Sequence, residues 1–290
     1  MKPLSFFTFI LLCSIHCLGQ ADSTIAAPAT DSLKKKSTFT LGAVYAANAN
    51  YYGQKAEEKI PYGALAATYH HRSGIYFSGL AYKLLNDTGS MVSAAGAGMG
   101  VDFKLSKKLS ADISYSHTFY PSYSPFLQAS NPDNATASLV YDNWLSSKIS
   151  ADYAFGKTTD VFVTAGTGKQ VKLGSITRKD EIAITPSIDI TGGTQRFYQT
   201  YLTEKRLRDS VLGILLTPVL GNPPSGSSNS KTTSSTEFNI ISYNLKCPLT
   251  YSRASYLVEL DYQLSLLSNK AQSNAGKLNS FFSASFYYQF

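Results

Sequence analysis

Charge is scarce in this sequence. Only 16% of its 290 residues are Asp, Glu, Lys or Arg, against about 25% in ordinary soluble domains. Long hydrophobic runs are missing too. Beyond the first dozen residues the longest apolar stretch, 212–220, is broken by Pro218 and falls well short of the roughly 20 residues a membrane-spanning helix needs. With a mean hydropathy of −0.10, that excludes a helical membrane protein. Cysteine is nearly absent, with three in the whole chain. Aromatics and glycine are plentiful, at 20 Tyr, 16 Phe and 20 Gly, which excludes a disordered chain. Low charge, many aromatics and abundant Ser, Thr and Asn together suit strands with one wet and one apolar face.

Residues 1–19 read as a secretory leader, with Lys2 in front of an apolar core at 4–12 and small-residue spacing that places cleavage after Gly19. The core is too short for an anchor. His16 precedes Cys17 and Leu12 precedes Cys13, so neither cysteine follows the small residue that lipidation wants. Cleavage removes both and leaves Cys247, so no disulfide framework holds the mature chain. Losing Lys2 takes the net charge from +7 to +6, with 25 basic and 19 acidic residues left of the 26 and 19 in the full chain. No basic cluster interleaves with aromatics, so nucleic acid is not an expected partner. Residues 20–36, ending in Lys34, Lys35 and Lys36, read as a flexible N-terminal tail.

From residue 37 onward, about ten residues of alternation are followed by a polar break, again and again. The clearest strand is 109–119, where Leu109, Ala111, Ile113, Tyr115 and Phe119 alternate with Ser110, Asp112, Ser114, Ser116 and Thr118. In a strand this puts one face in an apolar medium and the other in a polar one. Segments 254–264 and 181–191 repeat the pattern. Pro186 lies on the apolar face of the latter and cannot donate to a ladder, which predicts a bulge or break there. Weaker strands are expected at 38–48, 62–71, 75–85, 91–103, 160–170, 194–202, 238–248 and 280–290. One parity runs on from 137 to 155, read as one long strand, for twelve in all. Splitting that stretch near Asn143 and merging 181–202 also gives twelve. The fold class is therefore all-β: a closed antiparallel transmembrane barrel over 37–290.

Short breaks at 72–74, 104–108, 156–159, 192–193 and 249–252 suit tight turns at one end. Longer ones at 49–61, 120–136, 171–180, 203–237 and 267–279 suit loops at the other, where 86–90 also falls. Loops 120–136 and 203–237 stand out. Leu207, Val211 and Leu215 give the latter helical spacing in its first half, and its second half is low-complexity.

The chain ends on Phe282, Ala284, Phe286, Tyr288 and Phe290 on one strand face. This resembles the terminal strand of Gram-negative outer-membrane β-barrel proteins. The resemblance covers 37–290 as an architecture, and its sharp motif is confined to the last strand. It implies residence in the cell outer membrane, with lipid and the barrel-assembly machinery as partners and Phe286, Tyr288 and Phe290 as the assembly signal. It also implies short turns on the periplasmic side. A soluble β-sandwich is the competing fold, but the terminal Phe, the even strand number and aromatic pairs at strand ends favour the barrel. Those pairs, Tyr51–Tyr52, Phe119–Tyr120, Phe197–Tyr198 and Tyr287–Tyr288, are expected in interfacial girdles.

Twelve strands about 4.8 Å apart and tilted about 40° enclose a backbone diameter of roughly 24 Å. Parity places Asp112, Lys148, Asp152, Asp189, Lys246, Arg253, Glu259 and Asp261 inside, with Asp102 and Asp142 near the ends. A passive channel for small polar solutes, favouring cations or neutral sugars, is the first functional expectation. The second is a structural or adhesive barrel with a plugged lumen, whose loops bind an extracellular partner. Outer-membrane phospholipases resemble the chain in size, but the mature histidines, His70, His71 and His117, lack a same-face serine or an acidic partner close in sequence. No enzyme, cofactor, metal site or catalytic residue is therefore expected.

Overall fold

The computed structural model of the chain describes residues 9–11, 25–27, 36–55, 59–86, 91–120, 131–194, 237–271 and 275–290. Strands β1 (Phe9–Leu11) and β2 (Ile25–Ala27) pair with each other. The rest form one antiparallel sheet: β3 (Thr38–Ala46), β4 (Tyr62–His70), β5 (Ile75–Leu84), β6 (Ala94–Lys104), β7 (Leu109–Phe119), β8 (Asp133–Asp142), β9 (Ser146–Phe155), β10 (Thr159–Gly168), β11 (Val171–Gly174), β12 (Asp180–Ile184), β13 (Ser187–Gly193), β14 (Asn239–Lys246), β15 (Leu249–Arg253), β16 (Tyr256–Leu267) and β17 (Leu278–Gln289). Its ends meet, because β17 pairs both β16 and β3.

The ring itself holds twelve strands, and β11, β12 and β15 are continuations of three of them. The residue numbers of β13–β14 partners add to 433 from Ser187↔Lys246, and so do those of β12–β15 from Ile184↔Leu249. The break between them is chemical. Pro186 and Pro248 accept from Lys169 and Thr185, at 3.1 and 3.0 Å, but have no N–H to return. The break expected at Pro186 is there, and Pro248 makes a second beside it. Together they interrupt three adjacent strands along one seam.

The long strand expected over 137–155 is two strands joined at 143–145, where Asn143 N–H donates to Leu145 O at 3.0 Å. Alternation runs through this turn because β8 and β9 pair residues of equal parity, as in Asp142↔Ser146. Sequence parity is therefore blind to the reversal. The two ends assigned next are exchanged. The turn at 156–158 lies at the long-loop end, and 175–179 closes a hairpin at the short-turn end. Residues 192–193 and 249–252 belong to β13 and β15, and the corresponding turn is 254–255. Residues 133–136 of the expected loop 120–136 are strand. Segments 203–237 and 194–202, with Phe197 and Tyr198, lie outside the described residues except at their edges.

Alternation is inside-out relative to a water-soluble protein. Leu65, Phe77, Ile113, Ile188, Leu260 and Phe286 point outward and are exposed, while Asp112, Asp152 and Glu259 are buried within. A continuous apolar belt around a closed ring has no counterpart in water, and closure pairs each of the twelve ring strands on both sides, as lipid requires. The protein is a membrane-spanning β-barrel that crosses its membrane with strands.

Three inward aromatic rings occupy space left by glycines on the next strand. A Cβ at Gly42 would sit 2.7 Å from the Tyr287 ring, and Tyr76 and Phe162 lie in the same way over Gly100 and Gly193. Tyr287 is 4% exposed, so it belongs to this inner packing and not to a girdle, whereas Tyr288 faces out.

Candidate functional site

The strand faces place the inner charges. Asp112 on β7, Asp152 on β9, Asp189 on β13, Lys246 on β14, and Glu259 and Asp261 on β16 share the inner face, as does Lys148 on β9. Lys246 Nζ pairs with Asp189 Oδ2 at 2.9 Å. Tyr76 donates to Asp112 Oδ2 at 2.9 Å, and Thr136 to Asp152 Oδ1 at 2.6 Å. Asp142 accepts from Ser146 at 2.5 Å.

Arg253 is on the other face. It pairs with Tyr256, whose register partner Tyr288 points outward, and it is exposed. The inward expectation rested on a turn at 249–252. Because the chain runs straight through instead, the separation of seven positions between Lys246 and Arg253 puts them on opposite faces.

The interior holds more than charges. From the long-loop end, residues 47–55 leave β3 and turn into the barrel. Tyr51 and Gln54 exchange backbone hydrogen bonds of 2.9 Å each, and the two residues between them have φ of +50° (Tyr52) and +83° (Gly53). Positive φ at both central residues is a type I′ turn, and a tyrosine in that region is strained. The strain persists because the tip is held on all sides. Tyr52 donates to Asp152 Oδ2 at 3.2 Å, and its ring stacks on Phe162 at 4.0 Å and 14°. Ser242 donates to Tyr52 O at 2.7 Å, Asn279 to Gly53 O at 2.9 Å, and Asn50 to Gln263 Oε1 at 3.0 Å. Behind the tip, Asn48 accepts from Ile60 N–H at 2.8 Å and pins the loop base.

These contacts cross the whole ring. β9 lies six strands from β3 in a ring of twelve, so the bond from Tyr52 to Asp152 reaches the opposite wall. Tyr51 and Tyr52 are 5% and 7% exposed, which removes them from the interfacial girdle where sequence had placed them. Burial, and behind it the carboxylate of Asp160, raises the Tyr51 phenol well above its usual range and keeps it protonated.

Two apolar clusters complete the filling at this end. One joins Tyr51, Tyr52, Phe162, Ile241, Leu267 and Ala271, and the other Ala46, Ala49, Tyr62, Ala64, Tyr82, Leu84 and Ala94. Asp160, Asn131 and Thr194 add a polar knot, with Thr194 donating to Asp160 Oδ1 at 2.6 Å. None of the loop-tip residues, Phe162 or Asp160 was singled out as lumenal from sequence. The Tyr-Gly pair between Asn50 and Gln54 was the available signal, since such a pair favours a tight turn.

Two of the three mature histidines have acidic partners on other strands, while His71 Nδ1 lies 2.8 Å from the Ser73 hydroxyl. His70 bonds Asp102 at the inner short-turn end and stacks at 6.0 Å on Tyr76. On the outer face His117 Nδ1 lies 2.7 Å from Asp133 Oδ1, which also accepts from Tyr115 at 2.5 Å. The acidic partner absent near His70 in sequence thus comes from β6, two strands along the sheet. Among the described residues no serine, threonine or cysteine side chain bonds His117, and no group of three or more His, Cys, Asp or Glu converges as for a metal.

No protein-family model matches the chain, and no curated protein matches it in sequence. Among solved structures it is similar to the KdgM porin, at 8% identity and a TM-score of 0.46 over 87% of this chain and 99% of that one. An outer membrane channel from Pseudomonas putida F1 gives 11% identity and 0.45 over 90% and 97%. LpxR from Salmonella typhimurium gives 8% and 0.41 over 87% and 99%.

Proposed function

We propose that the barrel is a narrow channel for small polar solutes, closed in the conformation described by the tip of loop 47–55. The observation that carries this reading is the manner of closure. Among the described residues the lumen is crossed by the turn of this loop, held to the walls by side-chain hydrogen bonds, the ring stack and the apolar cluster that takes in Tyr51 and Tyr52, and not by covalent or strand pairing. Each such bond contributes about 1 kcal/mol and the stack about 0.5–1.5 kcal/mol. Opening therefore breaks only non-covalent contacts. Once open, carboxylates at Asp112, Asp152, Asp160, Glu259 and Asp261 outweigh Lys148 and Lys246 on the inner face, which favours cations and neutral solutes over anions.

The second reading, a plugged structural or adhesive barrel, is favoured by one observation: the inner carboxylates are already buried, with Asp160 at 0% and Asp152 at 1%. Reversal potentials separate the two. The chain from Gln20 to Phe290, refolded into a planar bilayer under a KCl gradient, should show current steps with cation preference, reduced in Glu259→Gln. A folded, heat-modifiable but silent barrel supports the second reading.

In either case, we propose that Phe286 and Tyr288 on β17 and Phe290 directly after it present the assembly signal. All three are exposed on the outer face, and Phe290 N–H bonds Phe39 O at 2.9 Å where the ring closes.

A further inference from the structure

The wall beneath the loop tip has the chemistry of a binding site. Phe162 offers a flat ring, covered by Tyr52 at 4.0 Å. Asp152 offers an anionic acceptor, used by the Tyr52 hydroxyl. Ser242 and Asn279 offer neutral donors, used by the carbonyls of Tyr52 and Gly53. These groups converge from β10, β9, β14 and β17, so the cradle belongs to the barrel wall and does not depend on the loop for its shape.

Gln54 supplies an independent observation. It is 0% exposed, and neither its carboxamide oxygen nor its nitrogen has a hydrogen-bond partner among the described residues. Burying an amide in that state is unfavourable. Tyr52 is also held at a positive φ. The tip therefore fills the cradle with two unrelieved costs, and a ligand that satisfies the same wall groups without them can displace it.

We infer that this cradle binds a small neutral polyhydroxylated solute of about monosaccharide size, and that residues 51–54 are its internal competitor. The C–H face of a sugar ring takes the place of the Tyr52 ring on Phe162. One hydroxyl donates to Asp152, and others accept from Ser242 and Asn279. An anionic solute meets Asp152 and the nearby Asp160. An ammonium has no lone pair for the Ser242 and Asn279 donors. The inference rests on the channel reading only for the route by which the solute arrives.

The test is calorimetric titration of the refolded, detergent-held full barrel with glucose, using gluconate and glucosamine as charged probes, alongside its bilayer current. Glucose should bind, with binding lost in Phe162→Leu and weakened in Asn279→Ala. In Gly53→Ala, which cannot seat the tip, glucose should bind on the order of tenfold more tightly, because a competent state populated only in part lowers apparent affinity in proportion. That increase separates competition from a merely structural role. No glucose binding in either the native chain or Gly53→Ala overturns the inference, as does equal binding of gluconate. Current without glucose binding sinks the site and leaves the channel. Glucose binding without current sinks the channel and leaves the site.

Discussion

Gly53 is a backbone position on which the closed state depends. Its φ is +83°, and a Cβ there would lie 2.8 Å from the Ser242 Cβ and 2.9 Å from the Asn244 side chain. Gly53→Ala is therefore expected to expel the tip while leaving all twelve strands intact, and single-channel recording should show more frequent and larger openings than in the native chain. Tyr52→Phe removes only the bond to Asp152, about 1 kcal/mol, so its open probability should rise severalfold and remain below that of Gly53→Ala. At this scale the sequence was half legible. Parity puts Asp112 and Asp152 on the same strand face as their buried positions, because a strand's period of two holds wherever the strand is regular. It could not find Tyr52 or Gln54, because a loop has no period. What brings Tyr52 to Asp152 is ring closure between residues a hundred positions apart.

Pro186 and Pro248 explain why three strands are divided although their registers continue. Each removes one donor from an antiparallel pair whose other bond survives. Pro186→Ala should restore a bond to the Lys169 carbonyl, and hydrogen exchange should slow at Lys169 and Thr185. The net stability change should stay within about 1 kcal/mol, since the extra bond is offset by a more flexible unfolded chain. Element existence was the most legible feature: segments 109–119 and 181–191 have close counterparts in β7 and in β12 with β13. Element direction was the least. The three-residue link at 143–145 preserves parity, so reading 137–155 as one strand exchanged the ends of the turns at 156–158 and 175–179, and a separate turn expected at 249–252 put Arg253 on the wrong face. Even-sum pairing such as Asp142↔Ser146 is invisible to alternation.

For the molecule as a whole, the outer belt and the inner filling make opposite demands on the same strands. Ile113, exposed near the middle of β7, faces lipid. Ile113→Arg should cost about 2–4 kcal/mol if it lies at the membrane midplane, read as a lower urea midpoint for unfolding from lipid vesicles. The same substitution should leave the loop tip seated, because its effect is on the opposite face of the wall. The membrane barrel was legible because low charge, aromatic alternation and the Phe290 terminus agreed with one another. The state of the lumen was not, since it depends on what a loop does after the barrel has closed.

The most direct measurement compares single-channel conductance of the native chain with that of a variant in which residues 49–55 are replaced by a glycine–serine linker of equal length. The account predicts sparse, small openings for the native barrel and steady, cation-preferring conductance for the variant. Two folded barrels of equal conductance would contradict the gate, and two folded but silent barrels would contradict the channel.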